Sequence, residues 1–190
     1  GEPILRRHFP DFGVGPELMT REGSIGVESL VKSFVLQCTT TGTDAVEALP
    51  FNESEFKAYV SDEFVLHLKI RAVGVIVTGS SYGDTGVFEQ SVLVSADEGT
   101  KRTAGDTRKS TEKDSGFSDP TITTTFTNTT GRVAGSQGLK VTVTGTADEI
   151  TAWTLYCEAT YIDTRGAKEV GVALFMENGD NMALESSGLI

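Results

Sequence analysis

Ser81 stands in "GSSYG" (residues 79–83), which matches the Gly-x-Ser-x-Gly elbow that presents a nucleophilic serine on a strained turn between a strand and a helix. A hydrolase of that kind needs a histidine later in the chain and a helical pattern after the turn. Both histidines, His8 and His67, come earlier, and the residues that follow, "VFEQSVLVS", alternate as a strand does. The stretch reads as a Gly and Ser turn between strands, and no catalytic residue is assigned. Paired carboxylates such as those in "DEG" and "ADEI" could in principle hydrolyse a glycan, but no spacing fixes two of them across a cleft, so they read as solubilising charge.

Metal and cofactor chemistry is equally thin. Structural zinc needs about four Cys or His ligands at short spacing. Here two cysteines and two histidines are scattered over nearly the whole length. Asp84, Asp97, Asp106, Asp114 and Asp119 all fall in apparent loops, yet none sits in the Asp-x-Asp-x-Asp-Gly spacing of a calcium loop. No phosphate loop and no dinucleotide fingerprint is present, so the expectation is no metal and no cofactor. Asn52 and Asn128 match the glycosylation acceptor pattern, which without a secretion signal reads as accidental. Cys38 and Cys157 lie on inward strand faces and are expected to be reduced core thiols.

The balance of charge narrows the partners. A formal net charge of −11 opposes attraction to nucleic acid or an anionic membrane surface, because phosphate binding needs clustered Lys and Arg. The basic clusters, "LRRH" at 5–8 and the mixed run at 101–114, read as solvated surface. No apolar stretch approaches the roughly 18–20 residues of a membrane span, and no signal-peptide pattern is seen. The expectation is no nucleic acid and no membrane insertion.

The elements that would position such residues are strands. Abundant glycine and threonine in a chain of 190 residues suit many short strands joined by turns, and predict an all-β, antiparallel, jelly-roll-like β-sandwich. Residues 1–30 hold three of the five prolines and show no period, which predicts an extended arm or linker. The start on Gly rather than Met reads as processing, a tag remnant or a fragment. The sandwich is placed at 31–163.

In "LVKSFVLQCTTT", Phe34, Leu36 and Cys38 share a face. A segment at 52–60 is open between loop and helical turn. In "EFVLHLKIRAVGVIV", Phe64, Leu66, Leu68, Ile70 and Ala72 point one way, and His67, Lys69 and Arg71 the other, so His67 is expected to be exposed. Gly74 marks a bulge or a close approach. Residues 95–119 predict a long polar loop, and "TITTTFTNTT" a threonine-rich strand. A hairpin is predicted over 139–162, with "GTADE" as its turn. Residues 164–190, with Asn178-Gly179, predict a short C-terminal hairpin or tail. The Cys38, Trp153 and Cys157 set invites comparison with immunoglobulin domains, but Trp153 sits only four residues before the second cysteine and Leu155 stands in the place of the corner tyrosine, which disfavours that assignment. Trp153 is expected to be a packing anchor in the core or between subunits.

The stretch "LKVTVTGTADEITAWTLYCEATYI" (139–162) resembles the closing strands of a β-sandwich module of bacteriophage tail fibres and tailspikes, and the order upstream over about 31–163 is similar as well. That resemblance implies a non-enzymatic virion structural protein, a fibre or adsorption-apparatus module assembled in the host cytoplasm. It also implies a homotrimer that contacts other virion proteins and serves host attachment. Two alternatives stand beside it: a head or capsid decoration protein, and a carbohydrate-binding module. In the second, Tyr82 and Phe117 would stack on a cell-surface glycan, whereas Phe88 faces the core.

Overall fold

The computed structural model describes residues 12, 17–19, 28–56, 58–97, 100–128 and 137–165. Among these residues ten strands run in chain order: β1 (Glu17–Met19), β2 (Glu28–Thr41), β3 (Val46–Glu47), β4 (Tyr59–Val60), β5 (Phe64–Ile76), β6 (Thr85–Asp97), β7 (Thr100–Lys113), β8 (Ile122–Asn128), β9 (Gln137–Val143) and β10 (Ile150–Asp163). They form an antiparallel sandwich of unequal sheets. The larger has the order β1-β2-β10-β5-β6-β7; the smaller is built around β9. β8 runs along one edge of β9, and β3 and β4 share its other edge at opposite ends.

Alternation makes the core. β5 buries Phe64, Leu66, Leu68, Ile70 and Ala72, as its sequence predicts, and β10 buries Trp153, Leu155, Cys157, Ala159 and Tyr161. Leu139, Val141 and Val143 of β9 and Ile122 of β8 face them from the smaller sheet. Tyr161 closes one end of the sandwich: its ring stacks on Phe64 and its hydroxyl accepts from the Ser61 backbone N–H at 2.9 Å. Burial pushes that phenol up to about 12.

The predicted hairpin over 139–162 is corrected. β9 and β10 belong to different sheets, and residues 144–149 cross between them. Both edges of β10 are taken, by β2 and β5, and both edges of β9 by β8 and the β3/β4 pair, so neither strand has an edge to offer the other.

The polar loop expected at 95–119 is also corrected, because most of it is β7. This strand lies at the rim of a six-stranded sheet facing a smaller one, so its side chains are largely wet on both faces and carry no apolar period. Backbone hydrogen bonds to β6 hold it instead. Two register shifts, opposite Val87/Phe88 and Leu93/Val94, together with charges such as Lys101, Arg102 and Arg108, blunt the free edge against pairing with other chains.

Gly74 is a close approach. It sits in an uninterrupted ladder between Trp153 and Gly86, and a Cβ there would lie 2.6 Å from Phe117 Cζ and from Trp153 Cζ3. In the open segment at 52–60, Phe56 and Ala58 are buried and the chain leads into β4. Within the expected arm, β1 pairs with β2 of the same chain, and Phe12 stacks on Phe34 with ring centroids 4.9 Å apart. Of the hairpin or tail expected at 164–190, all but residues 164 and 165 lies outside the described residues.

Candidate interaction surface

Ser81 occupies the turn between β5 and β6, where its carbonyl accepts from the Asp84 N–H at 3.0 Å. His67 is half-buried on the outer face of the larger sheet, and its Nε2 lies 2.7 Å from Ser91 Oγ. This Ser/His pair stands mid-strand, where ladder bonding occupies the backbone N–H groups that an oxyanion hole would need. The loop aspartates act as fasteners. Asp84 Oδ2 accepts from Gly116 N–H at 3.1 Å, and Asp114 Oδ2 accepts from Thr85 N–H at 2.9 Å. Asp119 pairs with Lys113 at 2.6 Å. Among the described residues, no group of three or more His, Cys, Asp or Glu is placed to hold a metal.

The two aromatic residues expected on a binding loop separate. Tyr82 is 74% exposed at the β5–β6 turn. Phe117 is 2% exposed, which removes it as a stacking platform. The loop after β7 folds it inward, because the paired glycines Gly74 and Gly86 leave a hollow that its ring fills against Phe88 and edge-on to Trp153. Trp153 is a core anchor: it is 2% exposed, and its indole N–H donates to Thr40 Oγ1 at 2.9 Å.

Cys38 and Cys157 are on adjacent strands with their partners four positions apart in register, on the order of 13 Å along the strand. A disulfide needs Cα atoms within about 7 Å, so this fold keeps the two thiols apart. Burial pushes Cys38 up to about 11 and Cys157 up to about 12, so both are poor nucleophiles near neutrality.

The surface that sequence reading missed is the outer face of the larger sheet. Val31, Val35, Val73, Leu93 and Tyr156 remain 37% to 46% exposed there. Between them lies a shallow depression of about 310 Å³, lined by Lys69, Arg71, Glu89, Ser91, Lys109 and Tyr156 among others. Arg71 Nε meets Glu89 at 3.4 Å, and the Tyr156 hydroxyl donates to Ser33 Oγ at 3.1 Å. The signal was present in "AVGVIV" (72–77), which is apolar on both faces, as strands covered on both sides are.

No family model matches the chain, and no curated protein matches it. Among solved structures, the tailspike protein of Acinetobacter baumannii phage AM24 is similar, with 12% identity and a TM-score of 0.27. The match covers 70% of this chain and 26% of that one. At that TM-score the likeness carries no argument about function.

Proposed function

We propose that this chain is a non-enzymatic structural module of a bacteriophage virion, working in a tail fibre or adsorption apparatus. The observation that carries the reading is the role played by the residues of the fibre-like pattern. "VTVTG" (141–145) and "ITAW" (150–153), within the stretch that carries the resemblance, form the end of β9, the crossing and the start of β10, so that stretch carries the chain from one sheet to the other. A partly apolar outer sheet face and a charged, bulged β7 edge suit a part that is assembled with others.

The test is to probe purified particles of the encoding phage with antibody against the chain. Label on the tail is expected. Absence of the chain from particles, or a polysaccharide-cleaving activity abolished by Ser81→Ala, overturns the proposal. A glycan-binding reading is favoured by one observation, the exposure of Tyr82, since Phe117 is withdrawn into the core. Glycan-array binding lost in Tyr82→Ala with the fold intact would support it.

A further inference from the structure

We infer that the outer face of the six-stranded sheet is a two-fold interface with a second copy of this chain. The inference rests on that face alone and stands without the virion reading. The centre of the strand order β1-β2-β10-β5-β6-β7 falls between β10 and β5. A two-fold axis over that line, running along the strands, would lay β10 of one copy on β5 of the other and β2 on β6.

The cross-strand register then dictates which side chains meet. Tyr156 and Arg71 are opposite each other in one row, and Glu158 and Lys69 in the next. Across the axis, Tyr156 of each copy covers Arg71 of the other, a cation on an aromatic face. Glu158 meets Lys69. Both contacts occur twice, as an isologous interface requires. The central outward residues of β10 are an aromatic and an anion, while those of β5 are two cations, so the two strands complement each other and neither complements itself.

Shape and polarity agree with that pairing. Tyr156 and Val35 are 41% and 46% exposed on the β10/β2 half, and the depression extends from Tyr156 and Glu158 of β10 across β5 and β6 to Thr107 and Lys109 of β7. The same rotation brings Tyr156 and Val35 of the other copy over its β5 and β6 floor. Further along, Val31 falls on Leu93 and Ile162 on Val65. With strands about 4.8 Å apart and rising about 3.3 Å per residue, the four central strands offer on the order of 800 Å² per copy. That is the size of a standard stable interface. Glu89 stays matched to its own Arg71 when Val35 of the other copy arrives beside it.

The test is light scattering on the full chain and on two charge reversals. The parent chain is expected to be a dimer. Lys69→Glu places Glu158 against an anion at both contacts, and Glu158→Lys places Lys69 against a cation at both. Each alone is expected to weaken self-association tenfold or more. An equimolar mixture of the two variants restores opposite charges at both contacts and should recover the dimer, which no misfolded variant could do. A parent chain that is monomeric, with this face covered by its own ends or by nothing, overturns the inference. So does a trimer, the state the phage-fibre resemblance implies, and so do single variants that associate as the parent does.

Discussion

The two faces of the six-stranded sheet are made from the same strands, one residue out of step, and they behave differently. On the inner face, Phe88, Phe117 and Trp153 meet within 5.4 to 6.3 Å and Leu155 and Ala72 are fully buried. On the outer face, valines and a tyrosine stand beside lysine, arginine and glutamate and keep over a third of their surface. Rigid packing on one side lets the other side be shaped for contact, because changes outside the core cost the fold little.

The largest expected effect tests the inner side. Phe117→Ala or Trp153→Ala should each destabilise the chain by about 3–5 kcal/mol in urea unfolding, by removing ring contacts and leaving a cavity. A loss below about 1 kcal/mol would mean the inner face is not close-packed. Gly74→Ala probes the same place from the opposite direction. The added methyl meets two rings in backbone-anchored positions, and a cost of about 1–3 kcal/mol is expected.

Alkaline pH sharpens the contrast between buried and open positions. Cys157 is raised from 9.0 to about 12 by burial, so the folded chain holds that proton more tightly than the unfolded one. The stability this contributes is whole below pH 9 and is lost as the pH rises toward 12. Cys157→Ala should flatten the decline in unfolding free energy over that window, by up to about 1.4 kcal/mol per pH unit for one proton. An unchanged slope would place the titration elsewhere. The smallest effect is expected outside: Val73→Thr, measured in the Lys69→Glu background, should shift stability by no more than about 0.5 kcal/mol. A larger loss would show that the outer valines already support the single chain.

Much of the sandwich was legible in the residues because β5 and β10 alternate between a dry face and a wetter one, and that period appears in the sequence. β7 was not legible. Its order comes from backbone pairing to β6, and side chains such as Arg102 and Lys109 are exposed, so no apolar period marks it. The hairpin over 139–162 failed for another reason: two alternating strands with a short break look the same whether the chain turns back within a sheet or steps to the opposite one. The burial of Phe117 does not show in the sequence because it depends on Gly74 and Gly86, more than thirty residues upstream and adjacent only once β5 and β6 pair. The outer face went unread because half-exposed valines are common on sheets. Only the rows set by the register bring Tyr156 beside Arg71 and Glu158 beside Lys69.

The place of β10 has a consequence for how the protein is made. It lies between β2 and β5, pairing Ile150 with Thr41 and Asp163 with Glu28. During translation, β2 and β5 leave the ribosome long before the strand that separates them, and their facing edges stay open until residue 163 has been added. Such distant pairing slows folding and keeps unpaired strands available to neighbouring nascent chains. A message cut short before residue 150 would yield two strand groups with no strand to join them within the large sheet, which closes only when the chain has been extended through Asp163.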